Sequence, residues 1–313
     1  IPEIEGKKVR RSYSLSSSSK TDMSPAITVK RIEGGLVSNF LCDTLKEGDS
    51  LEVLEPMGNF TLEAEASASK NYVFVGAGSG ITPLLSMIKT ILHGEPLSKI
   101  HLIYGSRHED QIIFKKVLDS LESLHANRFK VLHVISQPAA NWPGLKGRIN
   151  QASIVYYLKQ ELGLDIASAH YYLCGPQGMT EAARDFFIAK GVAEDAVHLE
   201  LFGTALPQGA PKKVEAVVDE SDLCEVSVIY DGQQTDFKMS KGAMVLDEAQ
   251  KAGLDIPYSC KGGMCCTCRA KVMEGEANMV VNYALEPGEV NAGYVLTCQT
   301  QPVSAKLVVD FDQ

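Results

Sequence analysis

The chain has little positive charge to spare. Lys and Arg number 30 against 39 Asp and Glu, a formal charge of −9 over 313 residues, and a phosphate backbone needs a basic face that such a chain lacks. No nucleic-acid partner is expected; a basic or neutral protein is a better one. Long apolar runs are also absent. The longest uncharged stretch, Asn71 to Ile88, is broken by Gly76, Gly78, Gly80 and Pro83 and stops short of the roughly 20 apolar residues that a membrane span needs. It is expected as a buried strand and turn, with no membrane association. A charged leader with an apolar core and a cleavage site is missing, so nothing argues for export. A disulfide framework is lacking too: of eight cysteines, four fall between Cys260 and Cys268, which points to a metal site in a reducing cytoplasm. Cys42 and Cys224 are expected as buried small hydrophobes. The seven histidines, His101, His133 and His198 among them, are scattered and are read first as structural or surface residues. No Ser/His/Asp constellation calls for a covalent nucleophile.

What is present divides into blocks. With 45% hydrophobic residues the chain can bury two or three cores, which excludes disorder. Residues 1–68 open on a charged hairpin, Glu3 to Arg11, and hold short alternating stretches, Ala26–Ile32 and Ser50–Leu54, expected as antiparallel strands of a small barrel with too few strands to close. The opening at Ile1, inside that hairpin, leads us to expect a preceding segment outside this numbering. Residues 69–203 alternate strand and helix: Tyr72–Val75, a helix from Pro83, His101–Tyr104, a helix at Lys115–Leu124, Lys130–Ile135, a helix at Ala152–Glu161, Tyr171–Cys174, and a helix at Thr180–Lys190. That rhythm predicts a doubly wound parallel sheet. Residues 204–213 carry two prolines and no periodicity, as a linker does. Strands return in 214–313, at Glu225–Tyr230 and Thr235–Lys238, with a short helix at Met244–Ala252 before the cysteine loop.

Cys260, Cys265 and Cys268 are spaced C-x4-C-x2-C, and Cys298 follows on a predicted strand, Tyr294–Gln299. This is the plant-type [2Fe–2S] spacing. Four thiolates must reach two irons and backbone N–H groups must point at sulfur, and Gly262 and Gly263 permit such a path. A zinc ribbon would use two short knuckles, whereas the second half here offers one cysteine; Cys266 does not fit the spacing and is read as a bystander. Asp255-Ile-Pro-Tyr-Ser-Cys260-Lys-Gly-Gly-Met-Cys265-Cys-Thr-Cys268 resembles the cluster loop of plant-type ferredoxins, and the resemblance covers roughly the last 100 residues. It implies a β-grasp-like α+β domain.

Gly76-Ala-Gly78-Ser-Gly80-Ile-Thr82-Pro83 follows a buried strand and opens a helix, where phosphate loops belong. A plain strand–turn–helix corner is the competing reading. Gly35-Leu-Val-Ser38 reads as the start of a helix with Ser38 as its cap, and the N–H groups there suit phosphate. At the end of the second parallel strand, where an adenosine ribose is expected, Ser106 and Arg107 favour the 2′-phosphate of NADPH; Glu109 and Asp110 leave NADH open.

These motifs together resemble the ferredoxin–NADP reductase family. Arg11-Ser-Tyr13-Ser14 matches its R-x-Y-[ST], Gly35–Ser38 its G-x-x-S, Gly76–Pro83 its G-x-G-x-G-x-x-P, and Cys174-Gly175-Pro176-Gln-Gly-Met179 its C-G-P-x-x-M. The resemblance implies that the first block is a Greek-key barrel binding FAD. Arg11 would then pair with the pyrophosphate, Tyr13 pack on the isoalloxazine or its ribityl chain, and Ser14 hydrogen-bond near N5. It places Cys174 beside the nicotinamide hydride path, and the strand with Glu200 and Phe202 near the flavin ring, Glu200 being a candidate catalytic residue and Phe202 a cover. On the residues alone, Arg-Ser-Tyr-Ser on a strand is more often an exposed strand face, and for Cys174 and Phe202 a buried core residue is the competing reading. Early barrel strands that the family carries before Arg11 are missing from this numbering.

Cofactor chemistry sets the order. A nicotinamide delivers a hydride, a [2Fe–2S] cluster takes single electrons, and a flavin handles both. Flavin first and ferredoxin last resembles the electron donors of multicomponent oxygenases, which implies an oxygenase component as protein acceptor; nothing in the sequence fixes an oligomeric state. Two other readings stand beside it, a redox-sensing protein without steady turnover and a zinc-stabilised binding module.

Overall fold

A hairpin of β1 (Glu3–Ile4) and β2 (Lys7–Lys8) turns at Gly6, whose φ of +72° suits glycine. The computed structural model describes residues 2–4, 6–202 and 222–313; the expected linker 204–213 and the start of the last block lie outside the described residues. Two compact units form. One holds the described residues of Tyr13–Asp43 and Phe60–Gly203, the other those of Ile1–Ser12, Thr44–Asn59 and Thr204–Gln313.

Helix α1 (Leu36–Asp43) belongs to the first unit. The expected strands at 26–32 and 50–54 do not form: Ile27 makes an isolated bridge with Leu15, and 50–54 makes none. Alternation alone cannot make a strand, because ladder N–H and C=O groups need a partner segment. With no partner beside it, Val53 stays 73% exposed. Cys42, expected to be buried, is exposed at the end of α1.

The middle of the chain meets its expectation. It runs β3 (Asn71–Ala77), α2 (Ile81–Gly94), β4 (Lys99–Ser106), α3 (Lys115–Leu124), β5 (Phe129–Ile135), β6 (Leu145–Lys146), α4 (Gln151–Val155), β7 (Ala169–Gly175), α5 (Gln177–Ala189) and β8 (Val197–Leu201). All six strands are parallel, in the order β6-β5-β4-β3-β7-β8. Period-two alternation splits each central strand between two cores. Tyr72, Phe74, Leu102 and Tyr104 pack with Leu84, Ile88 and Ile91 of α2; Val73, Val75 and Ile103 pack with Ile154, Leu158 and Phe187 on the other face. Each fully buried side chain of this size contributes about 1.5–3 kcal/mol. The expected helix at 152–161 is α only to Val155, after which Tyr156–Glu161 forms a π turn; Asn150 and Ser153 close a capping box at its start.

In the second unit β9 (Leu223–Tyr230) and β10 (Gln233–Ser240) form a hairpin turned at Asp231 and Gly232, both at positive φ, the geometry that matches strand twist. Helix α6 (Val245–Lys251), β11 (Arg269–Glu274), β12 (Ala277–Met279), α7 (Pro287–Asn291), β13 (Tyr294–Leu296), β14 (Thr300–Pro302) and β15 (Lys306–Asp310) follow. The main sheet is mixed, ordered β10-β9-β15-β11-β13, with β9 and β15 parallel. Val245, Leu246 and Ala249 of α6 close its core against Val226, Val228, Leu307 and Val309. Among the described residues no helix is long and apolar enough to cross a membrane.

Candidate functional site

In a parallel sheet, ligands bind beyond the carboxyl ends of strands where the winding reverses. Here that point lies between β3, which continues to β4 on one side, and β7 on the other. The loops leaving β3 and β7 are those carrying Gly76–Gly80 and Cys174–Pro176. They touch so closely that a Cβ on Gly80 would stand 2.2 Å from the Cys174 carbonyl oxygen. Gly78 adopts φ +55°, and its carbonyl accepts from the Tyr104 hydroxyl at 2.8 Å. Thr82 and Pro83 are buried in the first turn of α2, where the Thr82 hydroxyl donates to Ser79 O at 3.0 Å; proline suits that turn. Gly175 sits at φ +152° with the Met179 methyl 3.0 Å from where its Cβ would stand, and its carbonyl accepts from the Phe202 amide at 3.0 Å. Pro176 is exposed just before α5. Cys174 is fully buried, and burial, reinforced by the Glu200 charge, pushes its thiol well up. It stands here as a neutral thiol.

Past the end of β4, Ser106 is buried with its hydroxyl unpartnered while Arg107 is exposed. Glu109 is committed elsewhere, accepting from the Ala139 amide at 2.9 Å, and Asp110 is exposed.

In the same unit, Ser14 donates to Glu200 Oε2 at 3.1 Å and Tyr13 is half-buried. The structure thus brings together Ser14 and Glu200, residues 186 positions apart. Ser38 is not the helix cap expected of it. It lies inside the first turn of α1, buried, accepting from the Ile32 amide at 3.2 Å, so it ties the approach segment to the helix. Gly35 is required beside it, because a Cβ there would stand 2.5 Å from Ser38 Oγ. Arg11, in the other unit, is exposed and donates through Nη1 to Arg10 O at 2.7 Å.

The cysteine loop builds its path from backbone. Lys261 and Gly263 take positive φ, and a Cβ on Gly263 would meet Val281 O at 2.9 Å. This turns the Gly262 and Met264 amides onto Cys260 Sγ, at 3.3 and 3.4 Å. Cys268 and Cys298 are buried, Cys260 and Cys265 partly so. A hydrogen bond that Cys265 donates to Cys260, then burial, drive the Cys265 thiol far above its usual range. Cys298 is drawn down by Cys260 but pushed up further, to about 12, by Cys268 and burial. Thiols crowded in this way ionise together only around a cation, so the donor set fits a cluster. Among the described residues no three side chains surround a single metal position; a binuclear cluster asks for two ligands on each iron, not three on one. Cys298 lies on a 3-10 turn, Thr297–Gln299, because the expected strand ends at Leu296.

Several neighbours escaped the sequence reading. Lys30 brings its amine 3.5 Å from where a Cβ on Gly78 would stand. Tyr104 supports the same loop, and a tyrosine at the end of a buried strand is the one signal that could have marked it. Cys266, read as a bystander, donates to Ala284 O at 3.4 Å.

Comparison with known proteins gives three family matches along the chain: oxidoreductase FAD-binding domain over 1–62, oxidoreductase NAD-binding domain over 74–185, and 2Fe-2S iron-sulfur cluster binding domain over 228–303. The chain is 36% identical over 314 residues to a component of the 1,2-phenylacetyl-CoA epoxidase of Escherichia coli K12, covering 99% of this chain and 85% of that one. It is 33% identical over 315 residues to the ferredoxin reductase component of 3-ketosteroid-9-alpha-monooxygenase from Rhodococcus rhodochrous, covering 99% and 85%. Among solved structures, phthalate dioxygenase reductase aligns with a TM-score of 0.52 at 26% identity, over 96% of this chain and 83% of that one.

Proposed function

The chain belongs to the iron–sulfur flavoprotein reductases, which join ferredoxin–NADP reductase-type modules to a plant-type [2Fe–2S] ferredoxin, and from that premise we propose its acceptor and its residue roles. It is an oxidoreductase that moves electrons from NAD(P)H through FAD to the [2Fe–2S] centre for an oxygenase. The acceptor we propose is the oxygenase component of a phenylacetyl-CoA epoxidase, acting in aromatic degradation in the cytoplasm. The observation that carries this is the 36% identity, across 99% of the chain, to the epoxidase component from Escherichia coli. The reductase role in 3-ketosteroid 9α-hydroxylation is the second reading, favoured by the 33% relative.

When bound, FAD takes a hydride from the nicotinamide and the cluster passes its electrons on singly. The chain's own residues bind and orient. Arg11 offers its exposed planar fork to the flavin pyrophosphate, with Gly35 and Ser38 shaping the approach to α1. Tyr13 offers a face to the ring system. Ser14, held by Glu200, would hydrogen-bond near N5. The Gly76–Gly80 loop and the Gly175–Met179 corner cradle the dinucleotide, Cys174 fixes the spacing between them, and Phe202 covers the flavin. Ser106 and Arg107 receive a 2′-phosphate, a role supported by the commitment of Glu109 to the Ala139 amide. Cys260, Cys265, Cys268 and Cys298 hold the irons. The flavin module in this reading is an antiparallel Greek-key barrel, supported by the FAD-binding family match.

The test is anaerobic titration with NADPH and with NADH, followed by mixing with each candidate oxygenase component and its substrate. Reduction by NADPH at lower concentration than NADH, then product with the epoxidase alone, is expected. Product only with the ketosteroid hydroxylase would transfer the assignment, and a single reduction without turnover on any acceptor would leave a sensor.

A further inference from the structure

Three serines that no motif claims, Ser16, Ser17 and Ser18, follow Tyr13 and Ser14 closely in the chain, and all three are buried, Ser18 to 1% exposure. A hydroxyl taken out of water needs a partner. Ser16 Oγ lies 2.8 Å from Thr28 Oγ1, and Ser17 Oγ accepts from the Ala26 amide at 2.8 Å. Ser18 instead reaches α2, with its Oγ 2.8 Å from Thr90 Oγ1. The single Thr90 proton goes to Ser86 O, at 2.9 Å, so Ser18 is the donor of that pair and Thr90 the acceptor. Ser86 answers in the other direction, its hydroxyl donating to Ser17 O at 2.6 Å. At the rim, Lys89 Nζ donates to both carboxylate oxygens of Asp22 at 3.1 Å, and Asp22 accepts from the Ser18 amide at 2.7 Å. Ser86, Lys89 and Thr90 are spaced i, i+3 and i+4, which puts them on one face of the helix.

The segment is held at its other end as well, where Ser14 donates to Glu200 Oε2 at 3.1 Å. All of these residues belong to one unit, that of Tyr13–Asp43 and Phe60–Gly203. Helix α2 begins at Ile81, directly after the Gly76–Gly80 loop. At a rise of about 1.5 Å per residue, Ser86 and Thr90 stand roughly 8 and 14 Å along it from that start. Segment and loop are therefore set against each other through one helix. Apolar contacts carry no direction and would let the segment slide. A slip here leaves buried hydroxyls unpaired, which is costly, so the hydrogen bonds define one register.

Resting on the functional reading above, we infer that Ser18 and Thr90 are positioning residues: they lock the segment carrying Tyr13 and Ser14 to the helix behind the dinucleotide loop, and so set the rate of hydride transfer from nicotinamide to flavin. The step needs no further reagent, since the hydride leaves the nicotinamide with both electrons and the flavin receives them.

The test uses the full chain loaded with FAD and cluster, as wild type, Thr90→Val, Thr90→Ser, Ser18→Ala, and Ser18→Ala combined with Thr90→Val. Rapid mixing with saturating NADH or NADPH follows flavin bleaching. Thr90→Val keeps the shape and removes the hydroxyl; it is expected to slow bleaching by about tenfold, within the loss that a misplacement of about 1 Å can cause, with FAD content and nucleotide affinity unchanged. Thr90→Ser restores the hydroxyl and should restore the rate. Ser18→Ala, which leaves the helix as it is, repeats the loss from the other side, and the double variant should be no slower than the slower single one, because the two hydroxyls act as a unit. In the chain without cofactors, amide exchange over 16–22 should quicken in Thr90→Val and not in Thr90→Ser. Unchanged bleaching or unchanged exchange in Thr90→Val, an equal loss in Thr90→Ser, additive losses in the double variant, or slowing that vanishes when more nucleotide or FAD is supplied would overturn the inference. Failure of both nucleotides to bleach the wild-type flavin would instead overturn the functional reading beneath it.

Discussion

Gly80 shows how a single hydrogen atom can decide a binding loop. Its position, one residue earlier than in the common dinucleotide fingerprint, was visible in the sequence, but the cause was not: the Cys174 carbonyl occupies the space a side chain would need. Backbone cannot yield as a flexible side chain can. Gly80→Ala is therefore expected to cost about 1–3 kcal/mol and to raise the KM for the pyridine nucleotide, whereas Gly178→Ala, with nothing within 4 Å of its Cβ, should change stability by less than about 0.5 kcal/mol. Thermal unfolding and steady-state kinetics of the two variants separate these outcomes. The cysteine spacing was equally legible, because ligand geometry is written into short local separations. Ser14 and Glu200 met only through a resemblance, since no local pattern links residues so far apart.

Elements were legible in proportion to how much of their stabilisation is local. Strands β3, β4 and β7 are mostly apolar on both faces and are followed by glycine or helix signals, so the doubly wound sheet could be read directly. The segments at 26–32 and 50–54 show the limit, because a strand exists only with its neighbour, and the π turn after α4 answers to packing rather than to composition. Within β4, His101 is buried beside Tyr157 of that turn, its ring centroid 6.5 Å away. Burial, helped by Lys99, lowers its pKa to about 4, while an unfolded chain titrates near 6.5. Below the unfolded value the unfolded state binds the extra proton, so stability is full above about pH 6.5 and declines as pH falls towards 4, by about 3 kcal/mol in all. Denaturant unfolding followed by far-ultraviolet circular dichroism between pH 7 and 4.5 should show that slope, and His101→Leu should lessen it, leaving the part due to His133 and His170, whose pKa values burial also lowers.

At the scale of the whole molecule, three modules divide one task, and removing one link should leave the others intact. Cys298→Ser is expected to abolish the cluster's visible absorption and all reduction of a protein acceptor, yet to leave NAD(P)H bleaching of the flavin. Cys266→Ser, which exchanges one weak hydrogen bond to Ala284 for another, should keep the cluster at a cost within about 1 kcal/mol. Absorption spectra and acceptor assays of both variants decide the matter, and loss of the cluster in both would mean that the loop is held differently. The mixed sheet carries one more consequence. Its middle strand, β15, comes after all four cysteines in the chain yet joins β9 on one side to β11 on the other. On the ribosome the four cysteines proposed as ligands therefore emerge before the scaffold that will enclose them can be closed, and in that reading iron and sulfide can be housed stably only once that late strand has been translated.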